Sequence, residues 1–223
     1  MKITHITLAA ILLTLYLSPA YSFTAEEEKW LNSEDDIDTS HINEGKLEFL
    51  KASENQNVLH SINNLTIKKS SIDDGWVNLQ QCYQHLDAIK STAISYKYRF
   101  MKNLKLISYR NIDNVTIHDQ SIELTNIKNN SEICIEAEVR IFYQNPDLSF
   151  SLINGPFHRR FLDGFYPYHV TLDITYPDDS LSFTKSTPKQ SSLFSIERKK
   201  GKLLINTYFE GMLNTEIRFL IKE

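Results

Sequence analysis

The sequence predicts an all-β protein built from antiparallel sheets, and two observations support this class. Hydrophobic and polar residues alternate in residues 94–100, 133–141, 170–176 and 213–221, which gives each run one apolar and one polar face. Turn-forming residues separate such runs about every 8–12 residues, a spacing typical of β-sandwiches. We therefore expect two sandwich-like units, with a single larger sandwich as the alternative.

The first 22 residues have the pattern of a secretory signal peptide. Lys2 supplies the positive charge, Ile6–Leu17 is a mainly apolar run, and Ala20 and Ser22 are the small residues that precede a cleavage site. The apolar run is about a dozen residues long, whereas a membrane span needs about 20. We therefore expect cleavage after Ser22 and export to the periplasm or the extracellular space, with no membrane span in the mature chain.

Residues 23–57 are polar and acidic, and we interpret them as an N-terminal arm outside the core. Within this arm, Leu47, Phe49 and Leu50 would share one side of a helix. The pattern therefore predicts a short helix within residues 45–53, in an arm that is otherwise disordered.

The rest of the chain divides into two predicted units. Residues 58–153 are expected to form the first sandwich-like unit, residues 154–168 a connecting loop, and residues 169–223 the second β unit. Besides the four long runs, shorter strands are predicted at Leu65–Lys68, Trp76–Tyr83, Leu104–Tyr109, Val115–His118, Ile122–Ile127, Leu181–Thr184, Leu193–Glu197 and Leu203–Phe209.

Cys82 and Cys134 are the two cysteines of the chain. In an exported protein, two cysteines usually form one disulfide bond. A metal site would need further ligands close by, and a redox-active pair is normally separated by two residues only. We therefore predict a disulfide between Cys82 and Cys134.

Composition and motifs exclude several classes of function. The formal net charge of −4 provides no positive field for nucleic acid. The chain has six glycines and lacks the glycine-rich patterns that hold phosphates. His85 and Asp87 would need a third and a fourth ligand to hold a metal ion. We therefore predict no nucleic-acid partner, no cofactor and no metal site, and no motif selects catalytic residues.

The segment 154–169 interrupts the strand alternation and is the best candidate for a binding site. It holds two of the six glycines, two of the six prolines, two of the seven histidines and an adjacent pair of arginines. Aromatic rings and arginines are the side chains that most often bind carboxylates, phosphates and aromatic groups. The predicted binding residues are Phe157, His158, Arg159, Arg160, Asp163, Tyr166 and His169.

A structural role for the same segment is the alternative, with its aromatic residues filling the junction between two sheets. Successive residues of an extended segment point in opposite directions. One of Arg159 and Arg160 should therefore turn inward to an acidic group or a carbonyl, while the other reaches solvent. Asp163 is the nearest acidic candidate for the inward arginine.

The segment Asn154–Tyr168, together with the stretch Cys82-Tyr-Gln-His-Leu-Asp87, resembles uncharacterised exported β-rich proteins of Gram-negative bacteria. The resemblance covers a small part of the chain. It implies an exported, periplasmic location, and it implies no activity.

These observations favour a non-enzymatic binding or accessory protein of the cell envelope. Its expected partner is an envelope protein or a small anionic or aromatic ligand. The first alternative is a hydrolase that uses the 154–169 loop, which would require His158 or His169 beside a carboxylate. The second is a structural or assembly protein that pairs through an exposed strand edge.

Overall fold

The computed structural model describes Thr24 and residues 43–52 and 58–222. With 69% strand and 2% helix, it confirms the predicted all-β class. Apart from Thr24, the described residues belong to one compact unit, residues 40–223. The predicted signal peptide lies outside the described residues, and so does most of the predicted N-terminal arm.

The described residues form fifteen strands and one helical turn. The strands are β1 (Glu48–Leu50), β2 (His60–Ile67), β3 (Trp76–Leu86), β4 (Ser91–Ser95), β5 (Met101–Ile117), β6 (Ser121–Arg140), β7 (Phe142–Gln144), β8 (Phe150–Phe157), β9 (Arg159–Phe161), β10 (Gly164–Tyr166), β11 (Tyr168–Thr175), β12 (Leu181–Thr187), β13 (Phe194–Lys199), β14 (Lys202–Glu210) and β15 (Leu213–Ile221). The helical turn, α1 (Ser71–Asp74), ends at Gly75, whose φ of 75° is in the left-handed region that favours glycine.

Three sheets make up the fold. The largest has nine strands in the order β1-β14-β11-β2-β3-β6-β4, with β13 added beside β14 and β5 beside β6. The second has the order β12-β15-β8-β7, and the third is the two-stranded hairpin β9-β10. All pairs are antiparallel except β11 and β2, which are parallel. Among the described residues, no helix is long and apolar enough to cross a membrane.

The core lies between the two larger sheets, and the alternation of the sequence explains which residues enter it. On β6, Ile133, Ile135 and Val139 are completely buried. The ring of Phe219 on β15 lies 5.0 Å from the ring of Tyr176, which follows β11, so that aromatic residues join the two sheets. A buried side chain of this size contributes about 1.5–3 kcal/mol to the free energy of unfolding.

The sheets do not follow the predicted boundary between two units. Strand β2 pairs with β11, and β8 pairs with β15, so both larger sheets combine strands from before and after residues 154–168. The predicted connecting loop itself contains the end of β8, the hairpin β9-β10 and the first residue of β11. The alternation of hydrophobic and polar residues predicts which face of a strand is buried, but it does not predict which strands pair with each other.

The predicted helix within residues 45–53 is wrong, because this segment contains strand β1. Residues Glu48–Leu50 pair antiparallel with β14. The ring of Phe49 lies 5.9 Å from that of Phe194, at the edge of the core. Leu47 and Phe49 are two residues apart, a spacing that places both on one face of a strand but on opposite sides of a helix.

The predicted disulfide is confirmed. Cys82 on β3 and Cys134 on β6 are register partners, and their sulfur atoms are bonded across these neighbouring strands. The two Cα atoms are 4.1 Å apart, slightly less than the common range of about 4.4–6.8 Å. The bond therefore links adjacent strands of one sheet and does not bridge the two sheets.

Candidate functional site

A cleft of about 270 Å³ lies at one end of the nine-stranded sheet. The end of β3, the segment from Asp87 to Tyr98 and the end of β8 form its walls, and residues 158–161 close one side. Strand β4 reaches this position because it pairs only with residues 121–125 of β6, beyond the part of β6 that pairs with β3. The cleft therefore brings the continuous stretch from the end of β3 to Tyr98 against the end of β8 and residues 158–161, which lie more than 50 residues further along the chain.

Arg159 is the arginine that turns inward, as the alternation predicts. Its guanidinium group contacts both carboxylate oxygens of Asp87, with Nε 3.0 Å from Oδ2, and Nη1 donates to the carbonyl oxygen of Pro167 at 3.3 Å. The guanidinium carbon also lies 5.5 Å from the ring centre of Phe161 and 5.6 Å from that of Tyr166. A bidentate salt bridge of this kind fixes the orientation of both side chains.

Asp163, the acidic partner suggested by sequence proximity, has a different role. Its Oδ2 accepts a hydrogen bond of 2.5 Å from the hydroxyl of Tyr166 within the β9-β10 hairpin. This contact raises the pKa of Tyr166. The partner of Arg159 is instead Asp87, which is 72 residues away in the sequence. Proximity along the chain failed here because the fold brings the end of β3 against the hairpin.

The positive charges at the cleft come from Lys97, Arg160 and, when it is protonated, His158. Lys97 and Arg160 are exposed, and neither forms a salt bridge within the described part of the chain. Burial lowers the pKa of His158, and the charges of Lys97 and Arg160 lower it further, against the opposing effect of the Pro156 carbonyl. All three side chains line the cleft, while the one carboxylate of the lining, that of Asp87, is paired with Arg159.

Tyrosine rings form much of the inner wall of the cleft. Burial raises the pKa of Tyr83, Tyr96, Tyr98 and Tyr168 well above the ordinary value. These hydroxyls therefore remain protonated over the whole physiological range. The Tyr98 hydroxyl donates to Oδ1 of Asn154 at 2.7 Å, which connects the segment after β4 to β8. The wall is therefore apolar along the rings and polar at the hydroxyls.

His169 does not belong to this cleft. Its ring is stacked between those of His60 and Tyr208 on the opposite face of the nine-stranded sheet, with ring centres 3.6 and 3.9 Å apart. Nε2 of His169 and the hydroxyl of Thr171 both donate to Oδ1 of Asn206, at 2.6 and 3.0 Å. The Thr171 oxygen in turn accepts from Nε2 of His60 at 2.9 Å. We call these three stacked rings the histidine column.

The structure thus unites four of the predicted binding residues at the cleft, namely Phe157, His158, Arg159 and Arg160. Tyr166 and Asp163 support the hairpin, and His169 faces the other side of the sheet. Lys97 and the neighbouring tyrosines are site residues that the sequence pattern did not predict. Their alternation in residues 94–100 is that of an ordinary strand, and no local signal distinguishes a cleft wall from a core face.

The hydrolase alternative requires His158 or His169 beside a carboxylate, and this arrangement is not found among the described residues. No carboxylate there lies within 4.0 Å of a ring nitrogen of His158 or His169; the one such contact joins His118 to Glu123 at 3.5 Å. The one cluster of three metal-ligating side chains consists of Cys82, Glu132 and Cys134. Its two sulfur atoms are bonded to each other, so neither is a thiolate that could hold a metal ion.

Comparison with known proteins gives little information about this fold. No family model matches the sequence, and neither does any curated protein. Among solved structures, the chain is similar to an M1 zinc metallopeptidase from Deinococcus radiodurans. One crystal structure of that enzyme aligns with a TM-score of 0.37 and 11% identity, and a second one with a bound Tyr-Ser-Ala substrate gives 0.38 and 12%. These alignments cover 80% and 71% of this chain but 43% and 41% of the peptidase chain. Likeness at this level carries no argument about activity.

Proposed function

We propose that this protein is a non-enzymatic binding or accessory protein of the cell envelope whose cleft binds an anionic group. The group belongs either to a small ligand or to the surface of an envelope partner. The proposal depends on one observation, the presence of Lys97, Arg160 and His158 in the lining of a cleft whose single carboxylate is already paired. In a protein with a net charge of −4, Lys97 and Arg160 are a local concentration of unpaired positive charge, to which His158 with its lowered pKa adds a charge only in acid.

Arg160 has the arrangement expected of a binding residue. Its guanidinium carbon lies 5.4 Å from the ring centre of Phe165, which holds the side chain in place while its donors stay free of protein carboxylates. Arg159, by contrast, uses its donors on Asp87 and on a backbone carbonyl. We therefore assign ligand binding to Arg160 and Lys97, and support of the cleft to Arg159.

Binding of a simple aromatic acid tests this assignment. Isothermal titration calorimetry with phenylpropanoate should show that Arg160→Met and Lys97→Met each weaken binding about three- to tenfold, since each removes one partly solvated charge–charge contact. Lys200→Met is the matched control, because the Lys200 side chain is 88% exposed and does not line the cleft. Unchanged affinity in both cleft variants would contradict the proposal.

Export is part of the proposal and rests on separate observations. The first 22 residues have the pattern of a signal peptide, and Cys82 and Cys134 form a disulfide, which persists in oxidising compartments. Intact-mass analysis of the protein from its native host should show loss of residues 1–22. Recovery of the full-length chain from the cytoplasm would overturn this part of the proposal.

A further inference from the structure

We infer that the cleft takes a carboxylic acid whose opposite end carries a hydrogen-bond donor, which is the chemistry of a hydroxyaryl acid. The inference rests on the anion binding proposed above, because the carboxylate would lie at Lys97 and Arg160. It adds a second recognition element deeper in the cleft, at Gln81. This element is defined by a chain of buried amides whose orientation the structure fixes.

The first amide of this chain is Asn63 on β2, which is completely buried. Its Nδ2 donates to the hydroxyl oxygen of Ser61 at 2.7 Å and also faces two backbone carbonyl oxygens, that of Ser61 at 3.2 Å and that of Thr171 at 3.1 Å. A carbonyl oxygen can only accept a hydrogen bond, so the nitrogen of Asn63 must face these two groups. The oxygen of Asn63 therefore faces the remaining neighbour, Gln81.

The second amide, Gln81 on β3, is oriented by the first. Its Nε2 donates to Oδ1 of Asn63 at 2.5 Å and lies 3.3 Å from the hydroxyl oxygen of Ser61. The acceptor atom Oε1 consequently points away from Asn63. Gln81 is 2% exposed and lines the cleft, and Oε1 has no hydrogen-bond partner among the described residues. A buried acceptor without a donor is unfavourable, so a ligand that supplies the donor gains affinity.

The space between Gln81 and the positive charges suits a single aromatic ring. The rings of Tyr83, Tyr96 and Phe157 line it, and aromatic ligands pack favourably on such walls. Its volume of about 270 Å³ is close to the lower limit of small-molecule sites, about 300 Å³. A phenol ring with a short acid arm would place its hydroxyl at one end and its carboxylate at the other.

A pair of probes that differ by one hydroxyl group tests the inference in the wild-type protein. Calorimetric titration should give para-hydroxyphenylpropanoate an affinity about tenfold higher than phenylpropanoate, because only the former can donate to Gln81 Oε1. In Gln81→Met, checked for its fold by circular dichroism, the two acids should bind equally. If this variant does not fold, the comparison in the wild-type protein decides alone.

The two proposals fail in distinguishable ways. Equal affinity of the two acids for the wild-type protein would overturn the hydroxyaryl inference and leave anion binding intact. The neutral para-hydroxyphenylpropanamide keeps the hydroxyl and lacks the charge, so it should bind at least about tenfold more weakly than its acid. If the amide binds as well as the acid, or if neither acid binds, the anion site itself is refuted.

Discussion

The cleft and the histidine column lie on opposite faces of the same sheet, and adjacent residues of β11 contribute to each. Tyr168 is buried at the cleft wall, whereas His169 stacks in the column on the other face. In the column, the Nε2 atoms of His60 and His169 both have hydrogen-bond partners. At the cleft, by contrast, Arg160 has no salt-bridge partner among the described residues and Gln81 keeps a free acceptor.

This difference distinguishes polar groups that stabilise the fold from polar groups that are available to bind a ligand. Polar groups that satisfy one another, as in the column, stabilise the fold and leave little for a ligand. Polar groups that converge on a cavity with unused donors and acceptors are the usual sign of a binding site. Arg159 and Arg160 show the same contrast within two successive residues, since Arg159 is paired with Asp87 and Arg160 has no salt-bridge partner among the described residues.

The largest effect is expected from breaking the support of the cleft at Arg159. Arg159→Met leaves the carboxylate of Asp87 half-buried without its partner, and should lower the free energy of unfolding by about 2–3 kcal/mol. Urea denaturation followed by tryptophan fluorescence measures this. The neighbouring variant Arg160→Met is the control and should change stability by less than about 0.5 kcal/mol. Equal effects of the two variants would remove the distinction between supporting and binding arginines.

The sequence predicted the strand class, most of the core and the disulfide because each depends on local alternation or on residue identity. Ile133, Ile135 and Val139 alternate visibly and are buried as expected. The partner of Arg159 was not predictable, because Asp87 approaches it only through the pairing of distant strands. The arrangement of the sheets and the role of Gln81 were not predictable either, because both also depend on which distant strands pair. In the sequence, Gln81 is one of several polar residues within a predicted strand.

The smaller effect concerns the column and its dependence on pH. Burial, together with the neighbouring His169 and His85, lowers the pKa of His60 to about 4. The unfolded chain, with an ordinary pKa near 6.5, therefore takes up the proton first as the pH falls. The contribution of His60 to stability is complete above about pH 6.5 and is lost as the pH falls toward 4. Because the ring is partly accessible to solvent, we expect a loss of about 1–2 kcal/mol.

The variant His60→Phe isolates this contribution, since it keeps a ring for stacking on His169 and removes the titrating nitrogen atoms. Carboxylates with lowered pKa values, such as Glu138 and Glu216, also destabilise the protein in acid, but they do so equally in both proteins. The difference between wild-type and variant unfolding free energies, measured by urea denaturation from pH 7 to pH 4, should therefore shift in favour of His60→Phe as the pH falls. A difference that stays constant over this range would contradict the prediction. It would show that protonation of His60 does not change the free energy of unfolding.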